Sequence, residues 1–217
     1  MPVERTLRRR HLAGLVAVLA VGGDPALAID VNISMEDAKK ALEAGRVPME
    51  KANTPEEVKK VLQHASMVTR VGADPEKDSC GASAILRTKR YRLEAFGRQE
   101  ASESKKRKAE IRMPEEFIRK VIDMPNMEVE VQLCGDDEYF AEGAVIELQQ
   151  GTKRVKAIDV GKAERGRKNE VDGPAFRSRF TAIFAYEKFD PNAASVFVIN
   201  LQDGKEIRIN ADFSKVQ

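Results

Sequence analysis

The chain has 217 residues, of which 42% are hydrophobic and 33% are charged, with two cysteines and no tryptophan. This length suits one domain of medium size, with room for a small appended element. Residues 1–28 hold four of the 37 basic and two of the 35 acidic residues, so the rest of the chain is formally neutral. A neutral chain argues against general nucleic-acid binding.

The first 28 residues have the three parts of a secretory signal peptide. Arg5 and Arg8–Arg10 are basic, Leu12–Val21 is apolar, and Ala26-Leu27-Ala28 fits a small-residue cleavage site. The apolar run is shorter than the roughly 20 residues that a membrane-spanning helix needs. The alternative, an amphipathic first helix of the fold, lacks a polar face. We therefore predict cleavage near Ala28, and the arginines leave both ordinary secretion and twin-arginine export open.

Export sets the expected location and redox state of the mature chain. No second apolar run approaches spanning length, so the mature chain is expected to have no transmembrane anchor. The predicted location is periplasmic or extracellular. Disulfides persist in such compartments, where the thiols are not kept reduced.

Residues 29–78 are predicted to form a helical N-terminal appendage. Ser34 begins a first helix, which Gly45 and Pro48 are expected to end. Thr54 begins a second helix with a capping box. An apolar stripe follows at helical spacing, and it predicts a face that packs on another element: Val58, Val61, Leu62 and Ala65.

Residues 79–217 show the period-two alternation of half-buried strands. Seven or eight short strands, with one short helix over Pro114–Ile122, predict an immunoglobulin-like antiparallel β-sandwich. Asp203-Gly204 is expected to join the last two strands as a tight hairpin. The alternating apolar sets begin at Ala109, Met127, Ala144, Phe176 and Ile207, and a central strand is expected over 195–201.

Cys80 and Cys134 are the only cysteines, and both lie in the exported part of the chain. A lone pair in an oxidising compartment predicts a disulfide. Cys134 follows Leu133 on the opposite parity, so the bond should attach the segment after the helices to the outer face of the sheet. The alternative, a reactive thiol, would need a base, and His64 is the single histidine after residue 28.

A basic run stands out in the middle of the chain, over Lys105, Lys106, Arg107 and Lys108. Because strands are expected on both sides, we predict that the run forms a hairpin tip. Its functional interpretation is contact with an anionic envelope surface or with an envelope protein that carries acidic groups. The alternative is an ordinary solvated charged face.

No metal site or cofactor is expected. Asp74, Glu76 and Asp78 alternate as in a calcium loop, but Ser79 replaces the turn glycine and Ile85 replaces the bidentate glutamate. A charged surface loop is the simpler interpretation of that segment.

The sequence therefore predicts a non-enzymatic exported β-sandwich protein, which acts in binding or as a structural component of the cell envelope. No catalytic residue is assigned. The alternative is a cell-envelope hydrolase that uses paired carboxylates, since acidic residues are plentiful. A cavity with two converging acids would favour the hydrolase, and a charged face would favour binding.

Overall fold

A computed structural model describes residues 29–170, 173–213 and 216. The predicted signal peptide lies outside the described residues. The described helices are α1 (Met35–Lys51), α2 (Pro55–Val68), α3 (Lys89–Arg107) and α4 (Glu115–Ile122), and one 3-10 turn covers Tyr186–Lys188.

The described strands form two antiparallel sheets. The first sheet has the order β1-β2-β3-β8-β6, with β7 also paired to β8, and the second has the order β10-β9-β4-β5. The strands are β1 (Arg70–Gly72), β2 (Ser83–Arg87), β3 (Asn126–Gly135), β4 (Val145–Gln150), β5 (Lys153–Lys156), β6 (Asp159–Val160), β7 (Arg167–Lys168), β8 (Phe176–Ala185), β9 (Ala194–Asn200) and β10 (Glu206–Asp212).

One apolar cluster joins the inner faces of both sheets. Met127, Val129 and Val131 of β3 are fully buried in it, together with Phe197 and Ile199 of β9. The alternation that predicted β3, β4, β8 and β10 is confirmed, because the apolar parity of each strand faces this core. The predicted central strand is β9, which pairs with β10 on one side and β4 on the other.

A second apolar cluster lies among the helices. Ala38, Ala41 and Leu42 of α1 pack there against Leu93 of α3 and against α4. α1 and α3 touch backbone to backbone, since a methyl group added at Gly45 or at Gly97 would overlap a carbonyl of the other helix. The helical part therefore draws on residues on both sides of position 78.

The alternation assigned from Ala109 to Met113 was wrong. β2 is a strand, but α3 then runs for 19 residues, and 108–114 is an irregular connection to α4. The buried residues of α3 include Lys89, Gly97, Arg98 and Glu100, so its hidden face carries little hydrophobic signal. The short helix predicted over Pro114–Ile122 is confirmed as α4, with Pro114 at its N-cap.

The first helix also differs from its prediction. α1 continues through Gly45 and Pro48 to Lys51, because Gly45 allows the close contact with α3 rather than ending the helix. The capping box at Thr54 is confirmed. The apolar stripe that follows it is not buried, and Leu62 is 50% exposed.

The coarse class is a β-rich fold of four described helices and two antiparallel sheets that share one core. The hairpin at Asp203-Gly204 is confirmed, with Gly204 at a φ of 84° in the left-handed region that glycine readily adopts. The finer immunoglobulin-like assignment stays a prediction.

Candidate functional site

The sulfur atoms of Cys80 and Cys134 lie at disulfide distance, with the two Cα atoms 5.3 Å apart. Cys80 belongs to the loop between β1 and β2, and Cys134 lies near the end of β3. Asp78 shapes this loop, since its carboxylate accepts the backbone N–H groups of Cys80 and Gly81 at 3.1 and 2.7 Å. The link therefore holds the segment after α2 against the outer face of the first sheet, as the strand parity predicted.

Five arginines gather at this outer face, and we call them the arginine face: Arg70, Arg87, Arg92, Arg177 and Arg179. Four of them are strand residues of β1, β2 and β8, whose neighbours in sequence point into the core. Arg92 reaches the same face from α3. The alternation of the strands thus places one charged layer outside the apolar one.

Two glutamates of β3 hold the centre of the arginine face. Glu128 accepts from Arg87 and from Arg92, both at 2.7 Å. Glu130 pairs with Arg87 and lies 3.7 Å from Arg179. Arginines of β2, α3 and β8, which are separate in sequence, thus share the two glutamates of β3.

The arginine face keeps donors that its glutamates do not use. Within the described chain, the Nε atoms of Arg70, Arg87, Arg92 and Arg177 are buried without a hydrogen-bond partner. Burial, and then the nearby charge of Arg179, lower the pKa of Arg70. Burial opposes the ionisation of Arg87, but Glu130 and Glu128 outweigh it and raise its pKa. The cluster therefore has more cationic donors than internal acceptors.

One end of the arginine face opens into a cavity of about 450 Å³, which we call the hairpin cavity because β7 and β8 form its walls. Four basic side chains line it against two acidic ones. The basic residues are Arg167, Lys168, Arg177 and Arg179, the acidic ones are Glu164 and Glu170, and Asn169 adds an amide.

Arg177 connects the hairpin cavity to the cysteine pair. Its Nη2 donates to the carbonyl of Ser79 at 2.8 Å and to Oδ1 of Asn169 at 3.4 Å. The amide of Asn169 in turn donates to Sγ of Cys80 at 2.9 Å. Arg177 is also the register partner of Cys134. The position of this guanidinium therefore depends on the loop that carries Cys80.

The basic run that was predicted as a hairpin tip is instead the end of α3. Nζ of Lys105 donates to the carbonyls of Met49 and Ala52, so this lysine caps α1. Lys106 and Arg107 pair with Glu103, and Lys108 is the left-handed C-cap. All four residues of the run are exposed at one helix end, and their contact with an anionic surface stays a prediction.

The acidic residues of the predicted surface loop serve its turns. Oδ1 of Asp74 accepts the N–H of Glu76 at 3.0 Å, and Nζ of Lys77 lies 3.2 Å from the same carboxylate. Among residues 29–170, 173–213 and 216, no three His, Cys, Asp or Glu side chains are arranged to hold a metal ion.

Comparisons of the chain with family models, with curated proteins and with solved structures found no match. Within the described part of the chain, no helix has both the length and the apolar character needed to cross a bilayer.

Sequence reasoning missed the arginine face, although part of its signal was present. The alternation of Arg177 and Arg179 with the phenylalanines of β8 places both arginines outside the core. What the sequence does not contain is the strand order, which brings β1, β2, β3 and β8 side by side.

Proposed function

We propose that this chain is an exported, non-catalytic protein of the cell envelope that binds oxyanion groups on an anionic envelope surface. The hairpin cavity and the adjoining arginine face form the contact. The observation that carries the proposal is the excess of four basic over two acidic side chains at one cavity, in a chain whose residues after position 28 sum to a formal charge of zero.

The chemistry of guanidinium supports this assignment. Arginine presents planar donors that match the two oxygens of a carboxylate or phosphate, and such charge-assisted bonds are stronger than neutral ones. Arg177 and Arg179 supply guanidinium groups to the lining of the hairpin cavity. The side chain of Arg179 is 50% exposed, so a large surface can reach it.

Export and fold complete the proposal. Removal of residues 1–28 near Ala28 would deliver the chain to the periplasm or the extracellular space, where Cys80 and Cys134 can stay bonded. An immunoglobulin-like sandwich remains the finer fold proposal, and a scaffold of that kind suits binding without settling what is bound. N-terminal sequencing of the exported protein tests the first part, with Ile29 as the expected first residue.

Vesicle binding tests the oxyanion contact. The probe is a sedimentation assay with vesicles that contain phosphatidylglycerol, with phosphatidylcholine vesicles as the neutral reference. We expect the triple variant Arg167→Gln/Lys168→Gln/Arg179→Gln to bind the anionic vesicles at least about tenfold more weakly, since each basic group near such a surface contributes about 1 kcal/mol. Added salt should weaken the binding of the natural chain.

The end of α3 provides the matched control, because it allows the same three charges to be removed elsewhere. Lys106→Gln/Arg107→Gln/Lys108→Gln should bind within about twofold of the natural chain. A loss confined to this control would move the contact to the predicted basic run. Equal binding by all three proteins, or no preference for anionic vesicles, would show that the proposal is wrong.

The carboxylate hydrolase is the second candidate, because Glu164 and Glu170 line the same cavity. Glycosidases use two carboxylates, one as acid and one as nucleophile or base. Release of soluble sugars from isolated cell-wall material by the natural chain, abolished in both Glu164→Gln and Glu170→Gln, would favour this candidate. Under the binding proposal, neither change produces or removes turnover.

A further inference from the structure

A second cavity, separate from the arginine face, lies where the helices meet the sheets. It has a volume of about 630 Å³, within the range of small-molecule sites. We call it the seam cavity. It is bounded by the N-terminal segment at Val31, the end of α4 with the following turn, Ile158, and the 3-10 turn that begins at Tyr186 after β8.

Lys89 is the one basic side chain among the residues that line the seam cavity. It is the first residue of α3 after the Thr88 cap, and only 6% of it is exposed. A cation at a helix N-terminus is electrostatically unfavourable, so a compensating partner for Lys89 would be stabilising. Nζ donates to the carbonyl of Ile122 and lies 5.4 Å from the ring centroid of Tyr186.

These contacts leave the Lys89 ammonium without a carboxylate in contact. An ammonium has three N–H donors, and within the described residues the Ile122 carbonyl is its hydrogen-bond acceptor. The charge of Asp123 acts on Lys89 from the same cavity, but without a hydrogen bond or an ion pair among the described residues. A buried cation in this condition favours an anionic oxygen as an additional partner.

The rim of the seam cavity adds an exposed apolar side chain. Ile158 is 60% exposed, although its backbone is fixed by a hydrogen bond of 2.7 Å from its N–H to the carbonyl of Ile183. The fold thus holds this side chain at the rim of a cavity that Val31 and Met124 also line. The lining also holds Glu187, whose carboxylate pairs with Lys188 at 2.9 Å. The charged donor of Lys89 and the apolar wall are the two parts of a site for an amphipathic ligand.

We propose that the seam cavity binds a small monocarboxylate with an apolar tail, whose carboxylate accepts from Nζ of Lys89 while the tail packs on Ile158. This site is independent of the proposed oxyanion contact at the hairpin cavity. The charged end and the apolar end of the ligand would contact different residues. Each contact can therefore be tested by its own variant or by a ligand that lacks that end.

Displacement of a fluorescent probe tests the site. The protein is loaded with 8-anilinonaphthalene-1-sulfonate, and decanoate or the neutral decanol is added. We expect decanoate to displace the probe at a concentration at least tenfold lower than decanol. Lys89→Met should weaken decanoate at least tenfold and change decanol less than twofold, whereas Ile158→Asn should weaken both.

Matched variants protect the test from effects on folding. Lys153→Met and Val145→Asn change an exposed lysine and an exposed valine of the second sheet, so both should bind decanoate like the natural chain. Ile158→Asn alters an exposed side chain, which keeps the test valid if Lys89→Met disturbs the end of α4. Equal affinity for decanoate and decanol, or unchanged decanoate binding in Ile158→Asn, would overturn the proposal.

The oxyanion contact at the hairpin cavity and the carboxylate site in the seam cavity can be tested independently of each other. The triple variant Arg167→Gln/Lys168→Gln/Arg179→Gln should displace the probe like the natural chain, since none of its residues lines the seam cavity. A parallel loss of decanoate binding in that variant would also overturn the second site.

Discussion

Burial has a large effect on the ionisation of Tyr186. Burial raises its pKa to about 12, because the phenolate would lose its hydration. The unfolded chain ionises near pH 10, so the native state keeps a proton that the unfolded state releases between pH 10 and 12. The stability that Tyr186 contributes is therefore complete below pH 10 and is lost as pH rises toward 12.

Urea unfolding at pH 9 and pH 11.5 measures this loss. The natural chain should lose about 2 kcal/mol more unfolding free energy over that interval than Tyr186→Phe, which has no phenol to ionise. The difference between the two chains removes the contribution of all other groups. Equal losses would mean that Tyr186 ionises in the native state as it does in water.

Gly45 and Gly97 test how closely α1 and α3 approach. Alanine is the better helix former by roughly 1 kcal/mol, so propensity alone predicts that either change stabilises. The added methyl group would, however, overlap the carbonyl of Glu94 or of Leu42. We expect the steric overlap to outweigh the helix propensity, so that the free energy of unfolding of each alanine variant, measured in urea, falls by about 1–3 kcal/mol. Gly204→Asn, at an open turn with positive φ, should be close to neutral.

At the scale of elements, a buried ion pair joins α1 to α3. Nη1 of Arg46 lies 3.4 Å from a carboxylate oxygen of Glu100, and both side chains are at most 7% exposed. Glu100 also accepts the backbone N–H of Met113, which fixes the connection to α4. Removing one partner leaves the other charge buried, and such losses typically reach about 3–5 kcal/mol.

A double-mutant cycle separates the pair from its surroundings. Glu100→Leu alone should lose about 3 kcal/mol or more, and adding Arg46→Met should restore part of that loss. Both free energies come from urea unfolding. Strictly additive losses would indicate that Arg46 is satisfied by Glu50, which it contacts at 2.5 Å, and gains nothing from Glu100.

The same pair explains why α3 was missed while the strands were predicted. β3 shows its core face directly, since Met127, Val129 and Val131 alternate with glutamates. The buried face of α3 instead contains glycine and charged residues, among them Glu100, whose partners are Arg46 of α1 and the backbone N–H of Met113. Periodicity detects apolar burial, so a helix held by backbone contact and ion pairs gives no such signal.

At the scale of the whole molecule, the candidate site is an outcome of topology. The parity of β8 is sufficient to place Arg177 and Arg179 outside the core. Their partners are Glu130 of β3 for Arg179, and Asn169 and the Ser79 carbonyl in the loop of Cys80 for Arg177. The order of the first sheet brings β3 and β8 together. The cysteine pair could be predicted because two residues allow one pairing, whereas the charged residues allow too many.

The Cys80–Cys134 pair provides a test that links stability to binding. In the chain-entropy model, closing a loop over a separation of 54 residues contributes about 4 kcal/mol. Cys80→Ala/Cys134→Ala should therefore have a free energy of unfolding that is lower by about that amount, and it should unfold at a lower urea concentration. It should also bind phosphatidylglycerol vesicles more weakly under native conditions, because the Ser79 carbonyl that positions Arg177 belongs to the released loop.

Arg177→Gln separates these two effects, since it removes the guanidinium and keeps the cysteine pair. It should weaken vesicle binding while keeping most of the stability, so that the cysteine variant and the arginine variant share only the binding loss. If the cysteine variant loses stability but binds as the natural chain does, the loop stabilises the fold without positioning Arg177. If neither property changes, the two thiols are not bonded in the exported protein.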